Sequence, residues 1–138
     1  MLLLVAVMTI SCVDFAPQYG LRKLNLPSGE VYYFRREARG LNFDSLSLVT
    51  SSDHCREPNP GTDIIFKGLG PLHLFYRFSD DEMHLYLTTR IEVPPDFSKT
   101  KIVQHELNNG EFMRLLETHK SEGLEMVNVE IDSTLICN

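Results

Sequence analysis

The chain has 138 residues, of which 43% are hydrophobic and 23% are charged, and this composition excludes an intrinsically disordered protein. Its length is typical of one domain, which can bury a core without help from a metal. The net charge of −6 argues against a broad surface for nucleic acid, and the acidic residues are spread along the chain rather than gathered in a tail.

The N-terminal segment predicts an export signal. Leu2 to Met8 is an uncharged apolar run, long enough for the core of an export signal and too short to span a bilayer as a helix. The Thr9-Ile10-Ser11-Cys12 sequence that follows resembles a bacterial lipobox, whose cysteine becomes lipidated. This resemblance to an envelope lipoprotein implies an export signal (1–12), a tether (13–19) and a single globular domain (20–138). The alternative is that the apolar run is a buried strand of a cytoplasmic protein.

The three cysteines bear on the compartment. If Cys12 is lipidated, Cys55 and Cys137 remain as an even pair, which an oxidising compartment would join by a disulfide. In the chain-entropy model, a bridge between such distant positions removes roughly 4–5 kcal/mol of unfolded-state freedom. The alternative is two ordinary thiols in a reducing cytoplasm. The sequence has no C-x-x-C pair, which argues against a thioredoxin-type motif and a zinc ribbon.

The first half of the domain predicts strands joined by turns. Residues 20–26 and 30–36 alternate around Pro27-Ser28-Gly29, where glycine supplies the positive φ of a tight turn. Further strands are expected over 41–51 and 62–67, and the loop between them contains prolines and a glycine that prevent regular pairing.

The clearest hairpin joins residues 72–78 to residues 83–91 across an acidic turn. Apolar residues such as Leu74 and Leu85 alternate with polar or aromatic ones, so one face of the hairpin is expected in the core. The opposite face carries His73, Phe75, Arg77, His84, Tyr86 and Arg90.

The last third of the chain predicts two more strands, over 101–107 and 125–132, and one helix over 111–122. Asn108 or Asn109 caps the start of the helix, and a glycine follows its end. The predicted fold is therefore α+β, with mostly antiparallel β-sheet of about seven or eight strands, joined as antiparallel meanders, and one helix in the C-terminal half.

Local motifs give no catalytic assignment. The chain has no P-loop, no dinucleotide-binding glycine motif and no nucleophile elbow, so no enzyme activity and no cofactor are expected. A weak metal candidate combines His73 and His84 with a carboxylate such as Glu92. Asp53-His54-Cys55 adjoins a carboxylate, an imidazole and a thiol, but neighbouring side chains in an extended chain point apart, which disfavours a Cys–His couple.

Aromatic and arginine side chains on the polar face of the hairpin predict a protein-binding surface. Phe75, Tyr86, Arg77 and Arg90 match the residue types that are enriched at protein interfaces. The alternative is that this face forms a second core layer beneath the helix at 111–122.

These features predict a small exported binding protein, and the favoured function is an inhibitor or immunity-type protein that binds another protein in the cell envelope. An acidic chain suits a basic toxin or a cell-wall hydrolase, because opposite charge speeds association. The expected location is the periplasm or outer membrane of a bacterium, with no nucleic-acid partner. One rival is a structural subunit of an envelope or secretion assembly; another is a small metal-dependent binder or enzyme that uses His73 and His84.

Overall fold

The computed structural model describes residues 16–41, 43–67 and 74–138. Within these ranges the fold is α+β, with eight strands in two mostly antiparallel sheets and one helix, which confirms the predicted class. The predicted export signal and lipidated Cys12 lie outside the described residues and stay predictions. In the described part of the chain, no helix is long and apolar enough to cross a membrane.

The first sheet is an antiparallel meander in chain order. Its strands are β1 (Gln18–Asn25), β2 (Val31–Arg39), β3 (Phe43–Val49) and β4 (Ile64–Phe66). The predicted turn joins β1 to β2, and Gly29 in that turn has a φ of 89°. Glycine is needed there because a side chain would be strained at this positive φ. The long connection between β3 and β4 contains no strand or helix, as its prolines predict.

The second sheet contains the predicted hairpin and has the order β7-β6-β5-β8. Its strands are β5 (Leu74–Ser79), β6 (Glu82–Leu87), β7 (Lys101–Glu106) and β8 (Glu125–Met126). The turn between β5 and β6 has only two central residues, Asp80 and Asp81, with φ values of 51° and 60°. Aspartate tolerates this left-handed region, and a turn of that kind matches the twist of the paired strands.

The strands β6 and β7 pair in parallel, and they are the exception in a sheet that is otherwise antiparallel, as the predicted fold class allows. A parallel pair needs a long connection that returns the chain to the same end of the sheet. Residues 88–100 make this crossover without a helix. Gln104 of β7 ties the crossover to the sheet: its side chain accepts the Ile91 N–H at 2.8 Å and donates to the Ile91 carbonyl at 2.9 Å.

The main core lies between the two sheets. The first sheet contributes Leu24, Tyr32, Phe34, Leu46, Leu48, Ile64 and Phe66, and the second contributes Leu74, Tyr76, Met83, Leu85 and Leu87. Alternation in the β5–β6 hairpin predicts that the face with Leu74 and Leu85 is in the core, and this is confirmed.

A single helix, α1 (Asn109–Thr118), covers the other face of the second sheet. Asn108 is its N-cap, and the Asn108 side chain accepts the Glu111 N–H at 2.8 Å. The helix ends before the predicted Glu122, and a turn through Gly123, whose φ is 73°, leads to β8. Leu115 is buried in a second, smaller core with Phe75 and Leu124.

The C-terminal segment differs from its prediction. Alternation over 125–132 predicts a full strand, but only Glu125–Met126 joins a ladder. Val127 and Val129 are nevertheless buried in the main core, and the Val127 N–H donates to the Leu74 carbonyl at 2.8 Å. Alternation of apolar and polar residues indicates that one side of a segment is buried. An extended segment can bury one side in this way without pairing with a neighbouring strand.

The same segment then reaches the edge of the first sheet. The Asp132 N–H donates to the Tyr19 carbonyl of β1 at 2.8 Å. Gly20 permits this close passage, because a Cβ at that position would overlap the carbonyl oxygen of Glu130. The C-terminal segment therefore ties one edge of each sheet together.

Candidate functional site

An open groove lies between the outer face of the second sheet and α1, and we name it the helix-side groove. It has a volume of about 650 Å³. The side chains that line it include Arg77, Tyr86, His105, Glu106, Glu111 and Arg114. Strand alternation sends Arg77 and Tyr86 to this face, and the parallel pairing of β7 with β6 places His105 opposite Tyr86.

Three half-buried rings, those of Tyr86, His105 and His84, lie next to one another on this face. The rings of Tyr86 and His105 are nearly parallel, with centroids 4.4 Å apart and an interplanar angle of 11°. The ring of His84 lies beside that of His105, with centroids 5.1 Å apart and an interplanar angle of 17°. The Arg77 guanidinium lies 5.8 Å from the centroid of Tyr86, within the range of a cation–π contact. The result is a row of half-buried aromatic side chains with a cation at one end.

The two imidazoles are also hydrogen-bonded to each other. Nδ1 of His84 lies 2.8 Å from Nε2 of His105, and the carboxylate of Glu82 lies 3.2 Å from Nε2 of His84. Burial, together with the charges of His84 and Arg77, holds the pKa of His105 below its usual value. One nitrogen of the hydrogen bond must donate and the other must accept, so a single proton lies between the rings.

The groove carries charges of both signs. Arg114 is paired with Glu122 at 2.7 Å. Glu106, Glu111 and Arg77 form no ion pair with any residue that the structure describes. Both carboxylates are exposed, so the groove offers two accessible anionic groups beside the aromatic surface.

The four predicted protein-binding residues do not lie together. Arg77 and Tyr86 line the helix-side groove, as the polar face of the hairpin predicts. Phe75 is fully buried beneath α1 and packs at 5.9 Å from Phe112, so the expectation that Phe75 faces outward is wrong. The second core layer, the alternative for this face, describes Phe75 correctly.

Arg90 belongs to another part of the surface. The chain leaves the second sheet after Leu87, and Arg90 lines a separate cavity of about 390 Å³ beside β4, with Lys67 and Glu92. Alternation predicted a longer strand, because the residues after Leu87 keep the pattern although they no longer pair.

The predicted metal pair of His73 and His84 stays a prediction, because His73 lies outside the described residues. The imidazole that meets His84 is His105, which local spacing did not identify. Only the parallel register of β6 and β7 brings these two rings together, and that register is a long-range feature. The sequence does not predict this register, because parallel strands are usually joined through a helix and this crossover contains none.

The cysteine pair is outside the lining of the groove and forms a second cluster. Cys55 and Cys137 are at disulfide distance and are joined, with Cα atoms 5.3 Å apart. The segment around His54 is a turn rather than an extended strand, so the expectation that the His54 and Cys55 side chains point apart is wrong. A ring nitrogen of His54 and both sulfur atoms all lie within 4.8 Å of one another.

The structure therefore brings reactive side chains together at the helix-side groove and at the His54–Cys55–Cys137 cluster. The groove joins residues from β5, β6, β7 and α1, whereas the cluster joins the loop after β3 to the C-terminal segment. No protein-family model, curated protein or solved structure matches this chain.

Proposed function

We propose that the protein binds another protein through the helix-side groove and acts as an exported inhibitor or immunity-type protein. The observation that supports this function is that the half-buried Tyr86 and His105 rings lie beside the exposed carboxylates of Glu106 and Glu111, which form no ion pair with a described residue. Flat rings that are already ordered offer contact area at low entropic cost, as interface aromatics do.

The two exposed carboxylates of the groove favour a partner with a basic side chain at this site. A lysine or arginine of the partner can lay its apolar stem on the rings and place its charge near Glu106 and Glu111. The net charge of −6 attracts a basic protein over longer range and raises the association rate. A basic toxin or cell-wall hydrolase fits these requirements.

Arg77 adds directional contact at one end of the groove. Its guanidinium is exposed, forms no ion pair among the described residues and lies over Tyr86. It can donate to a carbonyl or carboxylate of the partner while it holds the ring in place. The partner surface that fits this groove is therefore mixed, with a basic side chain flanked by an acceptor.

Location in the periplasm or outer membrane belongs to the same proposal. It rests on the apolar run before Cys12 and on the Cys55–Cys137 pair, since disulfides persist in oxidising compartments. A cytoplasmic protein would instead keep both thiols reduced.

A photo-crosslinking amino acid at the groove tests the proposal in cells that express the chain naturally. We expect a crosslinker at position 111 to give a covalent adduct with one protein, which mass spectrometry of the adduct identifies. A crosslinker at Glu117, an exposed position on α1 outside the lining of the groove, is the matched control and should give no such adduct.

The identified partner then allows a direct affinity measurement. We expect Glu106→Lys with Glu111→Lys to weaken the complex by about a hundredfold, because two attractive contacts become repulsive. Glu117→Lys changes the net charge in the same direction and should weaken binding only a few-fold. Equal losses from the groove and control substitutions, or equal adducts at both positions, would refute binding at the groove.

A further inference from the structure

The His54–Cys55–Cys137 cluster has the side chains of a metal site. One ring nitrogen of His54 and the two sulfur atoms lie within 4.8 Å of one another. Cys55 is exposed and Cys137 is half-buried, so the bond between them is accessible to a reductant in solution. Thiolate and imidazole are the two ligand types that zinc prefers in proteins.

An independent observation concerns the imidazole. Nε2 of His54 is fully buried and has no hydrogen-bond partner within the described part of the chain. The ring is positioned by packing instead, edge to face against Tyr19 with centroids 5.5 Å apart. A buried polar nitrogen without a hydrogen-bond partner is unfavourable. Here that nitrogen belongs to a ring that lies beside two sulfur atoms.

We propose that reduction of the Cys55–Cys137 disulfide converts this cluster into a zinc site with His54, Cys55 and Cys137 as ligands. Ligand atoms around tetrahedral zinc lie roughly 3.5 Å apart, so the three groups need only small movements from their present separation. Water completes the coordination. The site would thus be available only to the reduced protein.

Reduction of the disulfide takes two electrons and two protons. A dithiol, such as the cysteine pair of a thiol reductase, gives two electrons and two protons to the disulfide. The dithiol itself is oxidised to a disulfide. The two cysteine thiols then lose their protons to solvent as zinc binds their sulfur atoms, and His54 binds as the neutral imidazole. Zinc keeps its charge of +2 throughout.

The exchange preserves the tie between distant parts of the chain. Cys55 lies in the loop after β3 and Cys137 lies 82 positions later, in the C-terminal segment. Either cross-link, covalent or metal, closes the same loop and restricts the unfolded chain. The protein would therefore hold its C-terminal segment in place under both oxidising and reducing conditions.

Metal titration of the full chain with Cys12→Ser, which removes the third thiol, tests the proposal. The protein is reduced with a phosphine, which delivers the same two electrons, and is titrated with Co²⁺ and with Zn²⁺ against a chromophoric chelator. We expect one equivalent of metal, a thiolate-to-cobalt charge-transfer band, and no comparable binding by the oxidised protein. The oxidised protein has the same sequence, so it controls for misfolding of variants.

The role of His54 is separated by a matched pair of substitutions. We expect His54→Ala to weaken zinc binding by about tenfold or more, because one of three ligands is lost. His119→Ala, at the C-terminal end of α1 and outside the lining of the groove, is the matched control and should leave the affinity unchanged. Binding without a charge-transfer band, or equal affinity of His54→Ala and the parent protein, would overturn the proposed ligand set. Resistance of the folded protein to reduction would overturn it as well.

Discussion

Glu30 joins two parts of the chain that are distant in sequence. Its carboxylate accepts the Thr100 hydroxyl at 2.7 Å, the Thr100 N–H at 3.1 Å and the Ser98 hydroxyl at 2.7 Å. Burial acts to raise the pKa of Glu30, but hydrogen bonds from Thr100, Ser98, Lys99 and Ser28 outweigh it and lower the pKa to about 2. The charged carboxylate therefore anchors the crossover to the first hairpin.

This anchor gives the stability of the protein a specific pH dependence. Because the pKa of Glu30 is lower in the folded state, its contribution is complete above a pH of about 4.5 and is lost as the pH falls toward 2. We expect Glu30→Gln to lower the free energy of unfolding by about 2 kcal/mol at neutral pH, with allowance for partial exposure. Urea titrations across this pH range should show the difference shrinking on acidification.

Glu117→Gln is the control for that series, since Glu117 is exposed on α1. It should change the free energy of unfolding by less than about 0.5 kcal/mol at any pH. A loss for Glu30→Gln that stays constant between neutral pH and acid would contradict the assignment of the carboxylate as the stabilising form.

At the scale of the elements, α1 is held to the second sheet by a narrow apolar contact. Leu115 is 2% exposed and packs with Phe75 and Leu124, whereas its neighbour Leu116 is 37% exposed. The helix forms one wall of the helix-side groove, so its attachment also fixes the distance between Glu111 and Tyr86 across that groove.

Paired substitutions in α1 test this attachment. We expect Leu115→Ala to lower the free energy of unfolding by about 3 kcal/mol, because it leaves a cavity above Phe75. Leu116→Ala should cost less than about 0.5 kcal/mol, since little of its surface is removed from water. Chemical denaturation of both variants measures the difference. Similar losses for the two would show that α1 does not contact the sheet through Leu115.

The elements that the sequence predicted are those with local signals. The first hairpin has its glycine turn, α1 has its Asn108 cap, and the β5–β6 hairpin has unbroken alternation on both sides of an acidic turn. The parallel pairing of β6 and β7 depends on contacts across the crossover, so the hydrogen bond between His84 and His105 was missed. Strand periodicity alone predicts two of the residues that line the groove, Arg77 and Tyr86.

At the scale of the whole molecule, the two sheets enclose the main core. The disulfide joins the loop after β3 to the C-terminal segment. Intact mass by cell fraction, in a Gram-negative host, tests the proposed location. We expect a membrane-bound species that begins at Cys12, carries acyl mass and is lighter by two hydrogens until reduced. An unprocessed cytosolic species with free thiols would contradict export and would leave the groove as a site for a cytoplasmic partner.

The crossing of the C-terminal segment also orders events during synthesis. β5 lacks its β8 neighbour, and β1 lacks its contact with Asp132, until those late residues have left the ribosome. Cys55 likewise waits for Cys137. The edge strand β1 and the strand β5 therefore stay uncovered on one side until the C-terminal segment has been synthesised.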